Sequence, residues 1–516
     1  MVSTIDLGKQ ESMAEGTTFG FTGPQRRFDP AHLDAAAKAL NLPRVPSQLL
    51  AQGRQAASAK VAKQSRGGAR RLDERVVDRI TLGWSVFEQE QIEEMGLEAY
   101  LEQQLDASSI EDFGLDQILE EAFPSIAMTN GERFVNYYED QETLFIEFEL
   151  ATLYRAIYSP RQLKERMVIF WSDHFHVSLF SDFGIFMKPG DDRDVARAHA
   201  LGKFPDLLRA SAHSPAMLSY LTNDSNTRQH PNENYARELM ELHTLGVDGG
   251  YTEADVKEVA RCFTGWTYTP YEALFEFGQF HFDPAIHDFG AKTVLGHTIP
   301  AGGGQSDAET VLDILATHPS TADFISRKML RYLWGYEPDD EVVGKIAKIY
   351  LDTGGDIPSM LRGIFRWWRM ATSTSKLKRP FHLMVSAVRG LFGELENPFA
   401  MMQALFAAGH LPFTWQPPNG FPDSEGYWSG FVLPRFNFAA DFLRGEDRSV
   451  VLDLPFLDPQ LPAEDLVILF DLLLLDFTMT EDTRGALQDF LAGPRDAARV
   501  ADALALVVSS PEFQRY

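Results

Sequence analysis

Ten of the thirteen histidines fall between His174 and His318, so imidazole chemistry in this chain has to be assembled mainly from that segment. Its first candidate is Trp171-Ser-Asp-His174-Phe-His176. On a helix, His174 falls on the apolar stripe and His176 points about 200° away. On an extended tail the two imidazoles share a face and could hold one metal. The alternative is a buried His174 bonded to a backbone carbonyl, with Trp171 packing beside it or contacting a substrate.

The run from His230 to Gly246 carries the most informative pattern. Asn232 is a natural N-cap, which predicts a helix from there to Gly246. Asn234, Glu238 and Glu241 recur at i, i+4 and i+7 and make one polar stripe, with Arg237 alongside. Tyr235, Leu239 and Leu242 make an adjoining apolar stripe, widened by Ala236, Met240 and Leu245. A helix so apolar around its circumference is expected to be central and buried. Buried carboxylates must be paired, metal-bound or protonated. Either Arg237 and Glu241 pair at i+4 in an internal network, or Glu238 and Glu241 line a cleft as ligands or as an acid–base pair.

A third cluster is His287-Asp288-Phe-Gly290-Ala-Lys292. Asp288 could orient the imidazole, but adjacent residues seldom reach the geometry, so a partner from another segment is expected. Near His297, the glycines Gly302, Gly303 and Gly304 precede a helix starting near Asp307 and could cradle an anion. No Lys-Ser/Thr follows them, as a nucleotide-binding loop requires.

These segments nominate His174, Asn234, Glu238, His287 and Asp288 as catalytic candidates. Arg237, Glu241, Lys292 and Trp171 are candidates for structural or substrate contacts. His174, Asn234, Glu238 and His287 are expected to approach one another around one pocket. A single divalent metal there would be held by two imidazole nitrogens and a carboxylate at ~2.0–2.2 Å. Without one, burial would raise the pKa of Glu238. The motifs of serine hydrolases, zinc proteases, kinases and dinucleotide-binding enzymes are absent from the sequence.

The elements that must position these groups read as helices. Ser159-Pro160 with Gln162 resembles a capping box, and Leu163, Met167, Phe170, Trp171 and His174 follow at helical spacing. Thr252 with Asp255 opens another helix. Further helical patterns cover roughly 30–40, 308–317, 320–333, 340–352, 358–369, 380–392, 397–408, 464–476, 483–491 and 496–509. Strand-like material is confined to Phe275–Phe282 and Lys292–Ile299, which could pair as a hairpin. The expectation is a mainly α protein: a large multi-helix domain with a small β-hairpin element near 275–300. A weakly structured extension would occupy 1–70 and the helical domain 71–516, with lobes 71–270 and 300–516 around the β insertion.

With 38 Phe, 15 Tyr and 8 Trp in 516 residues, a substantial core can form, which excludes general disorder. One cysteine, Cys262, excludes an internal disulfide and a cysteine-rich metal site. The most apolar run, Leu466 to Phe477, is broken by Asp471 and Asp476, so no membrane span is expected. A net charge of -27 repels nucleic acid. The stretch 51–80, with eight basic and three acidic residues, reads as a solvated linker or surface helix, since no aromatics are interleaved to stack on bases. Met1 to Gly23 lacks the apolar core of a secretory signal.

Taken in order, these segments resemble the bacterial family catalogued as Domain of Unknown Function 1800. The resemblance rests on Trp171-x-x-His174-Phe175, on the run Asn232 to Gly246, and on Tyr251-Thr-Glu-x-Asp-Val256, Thr264-Gly-Trp266 and His287-Asp-x-Gly-x-Lys292. It continues in His318-Pro-x-Thr-Ala322, Pro417-Pro-x-Gly420 with Trp428 and Arg435, and Ser509-Ser-Pro-Glu-Phe513, covering roughly Arg71 to the end. The resemblance implies kinship without naming a reaction. Members often look exported, a pattern from which this chain departs in showing no export signal, so that as written it reads as cytoplasmic. The resemblance also implies the company of a sulfatase- or phosphatase-like protein encoded nearby as a partner. Two functions stay open: a hydrolase-like enzyme, with possible metal assistance, acting on an unknown substrate for which a polymer is one candidate, or a non-catalytic scaffold or export partner whose buried polar groups are structural.

Overall fold

The computed structural model describes residues 30–63, 72–368, 374–445 and 449–516. The segment read for a secretory signal, Met1 to Gly23, lies outside the described residues. The chain is mainly α, 64% helical, with three two-stranded antiparallel sheets among the described residues. No described helix is long and apolar enough to cross a membrane.

Helix Gln141–Tyr158 runs through the middle of the core: every residue in it except Thr143 is buried. Its sequence is apolar nearly all round, so no face can be left to water. Helix Gln162–His174 packs against it. The expected capping box at its start does not form. Gln162 is buried and its amide is used elsewhere, donating to the Ala156 and Ser159 carbonyls (3.1 and 2.7 Å) and accepting from Leu82 N–H (3.0 Å). Tertiary bonds outbid the local cap there. At Thr252 the box does form, with the hydroxyl and Asp255 each satisfying the other's backbone N–H.

Two further expectations are corrected. Residues 30–63, read as weakly structured beyond one short helix, form helices Pro30–Ala39 and Ser47–Lys63. Leu33, Leu50, Ala56 and Ala57 from them are buried in the common core. Nor do 275–282 and 292–299 pair with each other. Phe280–Phe282 pairs back onto Trp266–Tyr268, with Trp266 opposite Phe282. Lys292–Val294 pairs with His297–Ile299 across a two-residue turn. That turn is local because Leu295 (φ 50°) and Gly296 (φ 78°) both take the left-handed conformation that a tight hairpin needs. The third sheet joins Glu394–Leu395 to Val450–Val451.

Candidate functional site

His174 closes helix 162–174, and a specific set of partners fixes its ring. Nε2 lies 3.1 Å from the His243 carbonyl oxygen and Nδ1 lies 2.9 Å from Lys328 Nζ, on helix Pro319–Leu333. Nε2 must therefore carry the proton and donate it, while Nδ1 accepts from the ammonium. The imidazole is neutral: burial, reinforced by Lys328 and His243, holds its pKa well below the ordinary histidine value. Lys328 is only partly buried, yet desolvation lowers its pKa to about 8 against the opposing pull of Asp173 and Asp423. Trp171, fully buried, anchors the helix end by donating to the Ala200 carbonyl (3.1 Å).

Next to His174, a charged network ties the helix end to the loop 415–423. Arg379 donates to Asp173 (2.6 Å) and lies 3.5 Å from Asp423, which also accepts from the buried Lys376 (2.9 Å to each oxygen). Gly420 (φ 70°) lies directly on the Asp173 backbone, and a Cβ added there would overlap the Asp173 carbonyl oxygen. His176 does not join His174: its Nε2 bonds the Trp415 carbonyl at 2.7 Å. The loop thus covers the segment 173–176 from end to end.

The helix from Asn232 begins as expected, with the Asn232 side chain accepting from Asn234 N–H. From Leu239 to Thr244 it widens into a π-helical turn, which advances less per residue and rotates every later side chain. Tyr235 and Leu239 are buried as expected, but Leu242 turns part-way into solvent and His243 turns inward, 1% exposed. Neither ring nitrogen of His243 has a hydrogen-bond partner among the described residues, and burial pushes its pKa down to about 3. Its ring faces that of His174 at 6.2 Å.

The polar stripe of this helix lies nearer to water than expected. Asn234 is exposed and donates to the Leu221 carbonyl (3.1 Å). Arg237 pairs with Glu233 (3.2 Å) and Glu253 (2.7 Å) rather than with Glu241. A carboxylate four residues before a cation is the better-oriented helical pair, and Glu233 holds that position. Glu241 instead accepts from Tyr251. Glu238 is half-buried; burial, followed by repulsion from Glu241, raises its pKa. It acts electrostatically on Tyr220, whose hydroxyl donates to the Gln416 carbonyl in the covering loop.

His287 belongs to a different cluster. Its Nδ1 lies 2.7 Å from the Thr264 carbonyl and its Nε2 lies 3.3 Å from Asp307, which also accepts from Lys292 (2.5 Å). The carboxylate facing His287 is thus Asp307, while the adjacent Asp288 binds Arg261 (2.7 Å). His287, Lys292 and Asp307 are sealed, with side-chain exposures of 0%, 0% and 2%. The glycine run makes room for this carboxylate, since a Cβ on Gly303 would overlap Asp307 Oδ1. The anion in that cradle is the protein's own.

His174 and Lys328 are therefore brought together beside the covering loop, Glu238 bears on that loop through its field at Tyr220, and His287, Asp288 and Lys292 bond to a separate set of partners. Among the described residues, no group of three or more His, Cys, Asp or Glu side chains could hold a metal ion. The expected pair of imidazoles and a carboxylate does not assemble, because the His174 nitrogens already face an ammonium and a carbonyl. Sequence reasoning missed Lys328, His243, Asp173, Arg379, Asp423 and Asp307. Asp173 sat inside the Trp171–His174 motif, and Asp423 follows the Pro417-Pro-x-Gly420 motif. Lys328 carried no local signal.

No curated protein and no solved structure matches the chain. The helix end at His174, the π-helical turn, the Lys328 helix and the covering loop all lie within residues 75–515, a span that matches the family described as "Protein of unknown function (DUF1800)". The chain belongs to that family.

Proposed function

We propose that the protein is a hydrolase-like enzyme whose reacting group is the Lys328 amine. The observation that carries this reading is the 2.9 Å contact between Lys328 Nζ and a neutral His174 Nδ1, with the amine's pKa lowered to about 8. An amine that releases its proton near neutral pH can take one from an attacking water. His174 is a positioning residue here, because its second nitrogen is spent on a backbone carbonyl. The proton that Lys328 takes from the water is the one available to return to a leaving oxygen or nitrogen.

A panel of chromogenic esters, phosphate esters and glycosides tests the reading. Hydrolysis of at least one, reduced ~10²-fold or more in Lys328→Met with an unchanged thermal melt, is the expected result. Turnover of none, or turnover indifferent to Lys328→Met, favours the second reading, a non-catalytic scaffold or export partner. That reading draws support from the sealed His287–Lys292–Asp307 cluster, whose polar groups bond one another, the Thr264 hydroxyl and the surrounding backbone.

A further inference from the structure

A cavity of about 340 Å³ opens between helices Ser47–Lys63, Val86–Met95 and Pro380–Gly390 and the loop 109–113, and shares no lining residue with the His174–Lys328 region. Its floor is polar and buried. Arg389 and Glu88, 9% and 4% exposed, form an ion pair there, and the Ser85 hydroxyl donates to the same carboxylate. Arg389 Nη1 donates to the Ile157 carbonyl at 2.6 Å, while Arg389 Nε has no partner among the described residues. Burying such a pair costs desolvation that apolar packing would avoid, so the fold gains little from it by itself.

The walls add a second, independent observation. Phe113 and Phe392 line the cavity, and both hold left-handed backbone, with φ of 55° and 50°. Bulky residues in that region are strained, and such strain concentrates where a ligand is gripped. Helix 47–63 approaches Phe392 so closely that a Cβ on Gly53 would overlap its ring. Phe87 supplies a third aromatic face, and the Gln91 and Gln103 amides stand among the lining groups.

These features select a ligand class. A long acyl chain offers no acceptor to Arg389 Nε, the one group of the floor without a partner among the described residues. An anion meets an arginine already neutralised, the Glu111 carboxylate, and a chain of net charge -27. A neutral ring bearing several hydroxyls fits each part: its C–H faces pack on aromatic rings, and its hydroxyls donate to carboxylate and accept from guanidinium and amide. We propose that this cavity is a saccharide-binding site, taking a sugar unit against Phe87, Phe113 and Phe392 with its hydroxyls on the Glu88–Arg389 pair. The site is independent of the Lys328 chemistry and stands whether or not that proposal survives.

The test is ligand-observed NMR and calorimetric titration of the full chain with the methyl glycosides of glucose, galactose, mannose and N-acetylglucosamine, alongside indole and octanoate. At least one glycoside binds with a dissociation constant of about 1 mM or tighter. Phe113→Gly, which removes a wall and relieves the left-handed strain, weakens that binding about tenfold or more without lowering the melting temperature. Gln91→Ala, at a partly exposed helical position, gives the same direction of change and carries the test should Phe113→Gly not fold. Binding of no glycoside overturns the proposal. So does glycoside binding untouched by these variants, or capture of indole or octanoate in place of the sugars.

Discussion

Lys328 Nζ lies 2.9 Å from His174 Nδ1, and this contact settles the state of both side chains. The ammonium forces the imidazole to accept, the His243 carbonyl forces the opposite nitrogen to donate, and the ring is left neutral with one tautomer. The cation gains only a neutral partner in return. Desolvation therefore dominates Lys328 and brings its pKa to about 8, although Asp173 and Asp423 act to raise it.

Acid should destabilise the fold over a definable window. His176 and His243 have their pKa values lowered by burial to about 4 and about 3, and burial holds those of His174, His382 and His410 well below the ordinary range. Below about pH 6.5 the unfolded chain binds protons that the folded chain refuses, so stability is full above that pH and falls as pH drops toward 4. At pH 5 His176 and His243 each cost about 2 kcal/mol, and the other three act in the same direction. Urea midpoints measured from pH 7.5 to 5 should fall steeply; a flat profile would show that these rings titrate normally.

Gly420→Ala should loosen the covering loop. The residue has φ 70°, and the added methyl group would overlap the Asp173 carbonyl. A loss of about 1–3 kcal/mol is expected, together with a changed emission from Trp415 in the same loop. Unchanged melting and emission would mean that the loop does not rest on the helix end.

Asp307→Ala should cost about 3–5 kcal/mol, because Lys292, with no side-chain exposure, would be left without its carboxylate partner. Lys292→Met combined with Asp307→Leu should recover most of that loss. A single substitution as mild as a surface change would contradict the assignment of this cluster as an internal lock.

Leu239→Ala, at a position with no solvent exposure, should cost ~2–5 kcal/mol. A loss of under about half a kcal/mol in chemical denaturation would place the helix at the periphery.

Helix placement was legible wherever period and cap agreed, as at Asn232 and at Thr252 with Asp255. The π-helical turn at 239–244 was not, because an i→i+5 bond is a tertiary outcome with no residue signature, and it exchanged Leu242 for His243 in the core. His174 stood out in the sequence, but its partner lies 154 residues away on a helix whose pattern reports only its apolar face. Asp307 was legible only as the start of a helix after glycines, and the glycines turned out to accommodate its own carboxylate. His287, expected beside His174, has its nitrogens on Thr264 and Asp307 instead for the same reason: satisfaction of buried polar groups dictates that partners exist, not which segment supplies them.

The most direct test of the central claim is the ionisation of the Lys328 amine. Its rate of modification by a water-soluble acylating reagent, followed by mass spectrometry of the Lys328 peptide as pH is raised, reports the fraction of free amine. A midpoint near 8 is expected in the wild-type protein. A midpoint at the ordinary lysine value of about 10.4, or a Lys328 that does not react at any pH at which the fold persists, would contradict it.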